Sequence, residues 1–343
     1  ITQSMNSVIT ASGLNLRSDG NVTLENDNDV DTLAADISGT LTFNDVDSLL
    51  IGTVLDDGID TDGNKVVITT GGALDLGDGG GQSITATGAT VSLQATSGGI
   101  TQDASSIVTA SELQVLGTGA SFDFAGGNEV DTLAADINGE FDFKNTKELT
   151  VGTVTSTLGT TAGITSVGQI RLTTTGSGSS LNIGTGAAGE GLTSGGASIF
   201  LTSSDTITLM NNVDAGTTAL LTMNSQGTIL QDASTVITTN RLGVIQANAT
   251  TGDIDLCGDN LVDLFAARNE AMNGAIRFHS ENDLAIGSQP FFTPVVGVTS
   301  NFGEIEVTSA GTLTVNSVVN SNNMGGTGNG NITLVSTGLL TIG

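Results

Sequence analysis

His279 is the only histidine in this chain, Cys257 the only cysteine, and eight Lys and Arg residues stand against 36 acids, so any chemistry has to be assembled from a short list. Acid–base cleavage of a polysaccharide needs grouped carboxylates beside a basic residue, or a bound metal, in a groove. The basic residues Lys65, Lys144, Lys147, Arg17, Arg171, Arg241, Arg268 and Arg277 are instead scattered. His279 aligns with Lys144 in an internal repeat described below, a polar position just after a strand, which reads as surface decoration. A lone histidine on a repeat face leaves no Ser-His-Asp triad to assemble around a Gly-x-Ser-x-Gly elbow. Cys257 has no partner for an intrachain disulfide, and Asp253, Asp255 and Asp259 around it raise the thiol pKa rather than lower it. It reads as a small core or surface residue. The glycine-rich run Gly184 to Gly191 has the composition of a phosphate cradle but neither Lys nor a following helix, which makes it a turn.

Calcium is the remaining possibility. Asp60, Asp62 and Asn64 alternate oxygen donors as an EF-hand loop does, yet Gly58 stands where the first ligand belongs and no Glu closes the loop. Asn26 to Asp31 and Asp253 to Asp259 are similar acidic clusters, and there is no GGxGxDxUx array. Solvated acidic turns are the plainer reading. The calcium reading is weak, diffuse binding that relieves self-repulsion, and no other cofactor is expected.

The elements that would position such residues are strands. Apolar-polar-apolar triplets punctuate the chain, among them Val22-Thr23-Leu24, Leu74-Asp75-Leu76, Phe141-Asp142-Phe143, Ile254-Asp255-Leu256 and Ile332-Thr333-Leu334. Period two places both apolar members on one face of a strand. Helical spacing is nearly absent, and its best stretch, Val262 to Met272, is one short turn at most. The triplets belong to a long repeat. Ile1 to Val54 and Gly99 to Val154 follow one script, and Ile229 to Gly287 is a degraded third copy. Gln3, Gln102 and Gln231 correspond, as do Val30-Asp31, Val130-Asp131 and Val262-Asp263, then Ala34-Ala35, Ala134-Ala135 and Ala266-Ala267, then Gly52, Gly152 and Gly287. Asn28, Asn128 and Asn260 also recur, as turn-formers or as caps of inward-facing backbone.

Repetition of this kind marks stacked supersecondary units. The predicted fold is all-β, a single-stranded parallel β-helix (β-solenoid) of about 20 residues per coil and roughly 17 coils. It runs as one continuous solenoid over 1–343 with super-repeats 1–99, 100–228 and 229–343. Aliphatic residues and Phe, without Trp or Tyr, suit a narrow interior that cannot satisfy an indole or phenol. Pro290 and Pro294 bracket Phe291 and Phe292 where proline would break a ladder, so 288–297 reads as a loop leaving the rod. Phe291 and Phe292 are the interaction candidates, with packing back on the rod as the alternative.

A net charge of −28 disfavours nucleic acid and anionic lipid as partners. A mean hydropathy of +0.17 with evenly spread apolar triplets favours folding over disorder. No apolar run approaches the roughly 20 residues needed to cross a bilayer, so no membrane insertion is expected. With no starting Met or signal peptide, and with both ends inside the repeat pattern, the chain reads as a segment of something longer.

The ITQ-opening coil (Ile1-Thr2-Gln3, Ile100-Thr101-Gln102), the Val-Asp-x-Leu-Ala-Ala coil and the Leu-x-Ile/Val-Gly ending resemble the repeats of filamentous-haemagglutinin-type exoproteins, the large adhesins of two-partner secretion. The resemblance implies a right-handed parallel β-helix, export to the bacterial cell surface, and a role in adhesion, biofilm or extracellular fibres. It carries over no catalytic residue. The expected function is therefore a non-enzymatic extracellular fibre or adhesive segment, associating end to end or with other surface molecules. One alternative is a self-assembling subunit of an extracellular filament or sheath, since terminal coils expose strand edges. A polysaccharide-active β-helix enzyme is the third reading.

Overall fold

The computed structural model describes residues 1–248, 250, 252–289, 294–322 and 330–343. Among them there is no helix, and parallel strands stack as a β-solenoid of about 14 turns, roughly 23 residues apart. The chain divides into two compact units, Ile1–Gln169 and Ile170–Gly343. In the first, Leu41 pairs with Val66, and Val66 in turn with Val91, all fully buried. In the second, Ile229, Ile254, Ile276, Ile305 and Ile332 form one column. The triplets are the strands expected of them: in Ile305–Ser309 the apolar Ile305 and Val307 are buried while Glu306 and Thr308 sit at the surface. The stretch Val262 to Met272 is strand as well, the end of Ile254–Met272.

The coil is shortest where the repeat is cleanest. Leu113 pairs with Leu133, twenty residues on, and Phe122 with Phe141, nineteen on. Elsewhere corner insertions lengthen it: Leu49 pairs with Leu74 and Ile276 with Ile305. Longer coils mean fewer of them, which is why about 14 are found.

Corners carry a second column, inward-facing and polar. Asn28 lies over Asp45 and Asp45 over Thr70 in the first unit, Ser280 over Ser309 and Ser309 over Ser336 in the second. A buried corner leaves backbone groups pointing inward, and these must be bonded. Short polar side chains do it: Thr70 Oγ1 donates to Gly72 O at 3.0 Å and Ser309 Oγ to Asn282 O at 2.8 Å.

The recurring Gln and Asn form one device, seen three times. Gln102 Nε2 donates to Asn128 Oδ1 at 2.7 Å and to Ser106 O at 3.0 Å, while Asn128 Nδ2 returns a bond to Gln102 Oε1 at 3.0 Å. Asn128 Oδ1 also accepts the Val108 amide at 2.8 Å, and its Nδ2 reaches Lys144 O on the next coil at 3.1 Å. Gln231 and Asn260 repeat the pattern, with Ile237 N and His279 O as outer partners. Gln3 and Asn28 do so again, with Ile9 N and Asn44 O. Each clamp closes the turn after the ITQ-type strand and ties it to the two coils that follow.

Candidate functional site

The recurring Leu-x-Ile/Val-Gly ending is a branch point. After Gly52, Gly152 and Gly287 the chain leaves the coil, and it returns at Gly58, Gly163 and Gly297, whose amides donate to the carbonyls of Gly52, Gly152 and Gly287 at 3.0, 2.8 and 2.8 Å. The returning glycines have φ of 73°, 71° and 70°, the left-handed region that glycine tolerates. At Gly58 a Cβ would lie 2.3 Å from Ser83 O, and at Gly297 2.0 Å from Val318 O, so close stacking independently requires glycine there. Their carbonyls then accept the amides of Ala35, Ala135 and Ala267. The geometry of exit and return is thus constant.

What lies between is not. The first loop, 53–57, is five residues with an antiparallel bridge from Thr53 to Asp57. The second is the antiparallel hairpin of Thr153–Ser156 and Gly159–Ala162. The third begins and ends as an antiparallel pair, Ser288–Gln289 with Val295–Val296; residues 290–293, within the excursion expected over 288–297, lie outside the described residues. Phe291 and Phe292, the interaction candidates, fall outside the described residues.

Each loop folds back over the coil's outer face and buries the first alanine of the Ala-Ala pair. Ala34, Ala134 and Ala266 are all fully buried although they point away from the interior. The coil before supplies the anchor. Asn15, the strand partner of Ala34, accepts the amides of Leu55 and Asp56. Gln114, the partner of Ala134, donates to Gly159 O and Thr161 Oγ1 and accepts from Ser156 Oγ. Gly243, beside Ala266, lies under Gln289, and Val295 packs on Ile245 and Ala266. Arg17 adds a two-pronged ion pair to Asp56, which with Asn15 holds that carboxyl down to about 2. The sequence marks the glycines and the Ala-Ala pair but not their purpose, because the loops share the Thr-rich texture of the strands.

The sequence-derived metal candidates are largely occupied by their own turn and by the preceding coil. Asp60 Oδ1 accepts the Asp62 amide at 3.0 Å, Asp62 Oδ2 accepts from Ser38 at 2.7 Å, and Asn64 Nδ2 donates to Thr61 O at 2.8 Å. Beside this loop a polar cleft of about 450 Å³ is lined by Asn64, Lys65, Thr90 and Glu112, among others. Thr90 Oγ1 donates to Glu112 Oε2 at 2.7 Å. The cleft therefore offers one carboxylate and one ammonium. Cys257 lies exposed on the surface, and partial desolvation of its thiol, with Asp255 and Glu306 acting the same way, pushes its pKa up to about 12, so it is a poor nucleophile.

A cluster that the sequence does not suggest lies on the second unit. Asp259, His279 and Glu281 bring their ligand atoms within 4.8 Å of one another. Asp259 and His279 are one coil apart, a neighbourhood that only the register reveals.

Comparison with known protein families, with curated proteins and with solved structures returns no match. The functional reading accordingly rests on the residues and their geometry.

Proposed function

We propose that this chain is a non-enzymatic extracellular segment of a bacterial surface exoprotein, a β-solenoid that holds adhesive loops at fixed positions. The observation that carries the reading is the branch point: one glycine-bounded exit, used three times, each time with a loop of different length and sequence. A rigid repeat bearing variable loops is how scaffolds present contact surfaces. The residues that recur, Gln102, Asn128, Ala134, Gly152 and Gly163 with their counterparts, are spent on coil and branch construction, which leaves recognition to the parts that differ.

The test is a loop exchange. Replacing residues 153–162 by the five residues Thr53 to Asp57, which span the same glycine pair, should leave the thermal midpoint within a few degrees of the parent. Adhesion of protein-coated beads to cell layers and to matrix glycans should fall several-fold. Unchanged adhesion after exchange of this loop and of residues 288–296 would refute the reading, as would release of unsaturated product from polyuronate.

Self-assembly end to end is the second reading. Strands Ile332–Ser336 and Leu340–Ile342 pair on one side, with Ile305–Ser309 and Leu313–Val315. Ile332, Leu340 and Ile342 continue buried columns and are exposed where the described residues end, so whether a further coil of the same chain or a second copy stacks on them decides between the two readings. Long filaments of the purified chain in electron micrographs would favour this reading over the first.

A further inference from the structure

We propose that Asp259, His279 and Glu281 form a binding site for a divalent transition-metal ion of the zinc class. The argument starts from the imidazole. His279 Nδ1 lies 2.7 Å from Thr308 Oγ1 on the next coil, a hydroxyl that also stands 3.4 Å from Phe278 O. Either tautomer satisfies this contact, which fixes the orientation of the ring and turns Nε2 toward Glu281. Nε2 then faces Glu281 Oε1 at 2.8 Å. In the metal-free molecule that distance is a hydrogen bond from Nε2–H to the carboxylate; a metal ion on Nε2 would take that proton's place, with the ring proton on Nδ1 donated to Thr308 Oγ1. An outer hydrogen bond that fixes the tautomer and aims the other nitrogen is the usual support of a metal-bound histidine.

The carboxylates are free for the task. Arg277, the nearest cation in sequence, pairs with Asp255 and Glu304. Glu281 engages His279 alone, and among the described residues Asp259 has no hydrogen-bond or ion-pair partner. Donors about 2.1 Å from one metal stand roughly 3.0 to 3.4 Å apart, so binding has to draw the group in from its 4.8 Å spread, and the Asp259 side chain is exposed.

Comparison inside the chain strengthens the case. The strand register places Asp27, Asn44 and Val46 at the equivalent positions of the first copy, and Gly127, Lys144 and Thr146 at those of the second. Only the third copy carries a ligand-type residue at all three. One imidazole with two carboxylates favours zinc-class ions over calcium, which takes oxygen shells of six to eight. The ion would join adjacent coils, since Asp259 belongs to one and His279 and Glu281 to the next.

Calorimetric titration of the whole chain with ZnCl2 in 150 mM NaCl, where diffuse cation binding to the acidic surface is screened, should show one saturable site. CaCl2 should bind at least tenfold more weakly. His279→Ala and Glu281→Gln should each weaken zinc binding at least tenfold, whereas Asp62→Asn should leave it unchanged. Co2+ should give a d–d absorption band that His279→Ala abolishes, and far-UV circular dichroism of each variant confirms its fold. No saturable zinc binding, or binding that persists in folded His279→Ala, would overturn the proposal and leave the His279–Glu281 contact a hydrogen bond.

Discussion

Asn128→Ala is expected to destabilise the first unit by about 3–5 kcal/mol, since each buried polar group left without a partner costs about 1–3 kcal/mol. Asn128 is fully buried and Gln102 nearly so. Truncation orphans the Val108 amide, one Gln102 Nε2 proton and Lys144 O together. The equivalent change at Asn28 should cost less, about 1–2 kcal/mol, because Gln3 is partly exposed and water can take over its amide. Removing both partners, with Gln102→Ala added to Asn128→Ala, should cost less than the two single changes summed, by about 1–3 kcal/mol, as groups in one network do. Urea unfolding followed by circular dichroism, with hydrogen exchange at the Val108 amide, measures all three. A loss below about 1 kcal/mol for Asn128→Ala would show that the clamp is ornamental rather than structural.

That clamp marks the boundary of what the sequence discloses. The inside-outside alternation of Val22-Thr23-Leu24 or Ile305-Glu306-Val307 is local, so strand, face and core follow from it directly. Gln102 and Asn128 are both visible as recurring residues, and a corner role for the asparagine is legible. Their partnership is not, because 26 residues separate them and only the coil register brings them together. The same holds for Asp259 and His279. Comparing His279 with Lys144 along the repeat classifies it as a surface residue, while its chemistry depends on neighbours one coil away. The side loops fail for a different reason. Thr153 to Ala162 has the β-branched texture of a coil strand, and nothing local distinguishes an antiparallel hairpin from another rung of a parallel ladder. Coil length follows the loops, which is why counting from the cleanest copy gives too many turns.

Asp45→Asn is expected to stabilise the protein at neutral pH and to do nothing in acid. Asp45 stands in the corner column between Asn28 and Thr70 and is almost wholly buried. It accepts the Val30 amide at 3.0 Å and the Asp47 amide at 3.4 Å. Burial pushes its carboxyl up to about 6, and the Asp47 side chain pushes the same way against those two amide bonds. An acid whose pKa rises on folding holds its proton more firmly in the native state than in the unfolded chain. Its contribution is therefore fully present below pH ~4, where both states are protonated, and is lost as pH climbs through 6. The loss by pH 7.5 is about 2–3 kcal/mol. The second copy shows the remedy: Asn145 fills the equivalent position, accepts the Val130 amide and donates to Val130 O, Lys147 O and Glu148 O. Asparagine at position 45 would match the shape of the neutral acid without its titration. The substitution should add about 1–3 kcal/mol at pH 7.5, with the gain shrinking through pH 6 and vanishing near pH 4. Apart from Asp47, which interacts with Asp45 directly, the other acids of this highly charged chain contribute equally to both proteins, so the difference between variant and parent reports Asp45 and its interaction with Asp47. Thermal unfolding of the two from pH 3.5 to 8 gives that difference, and a constant offset across the range would mean that folding leaves the Asp45 pKa where the unfolded chain has it.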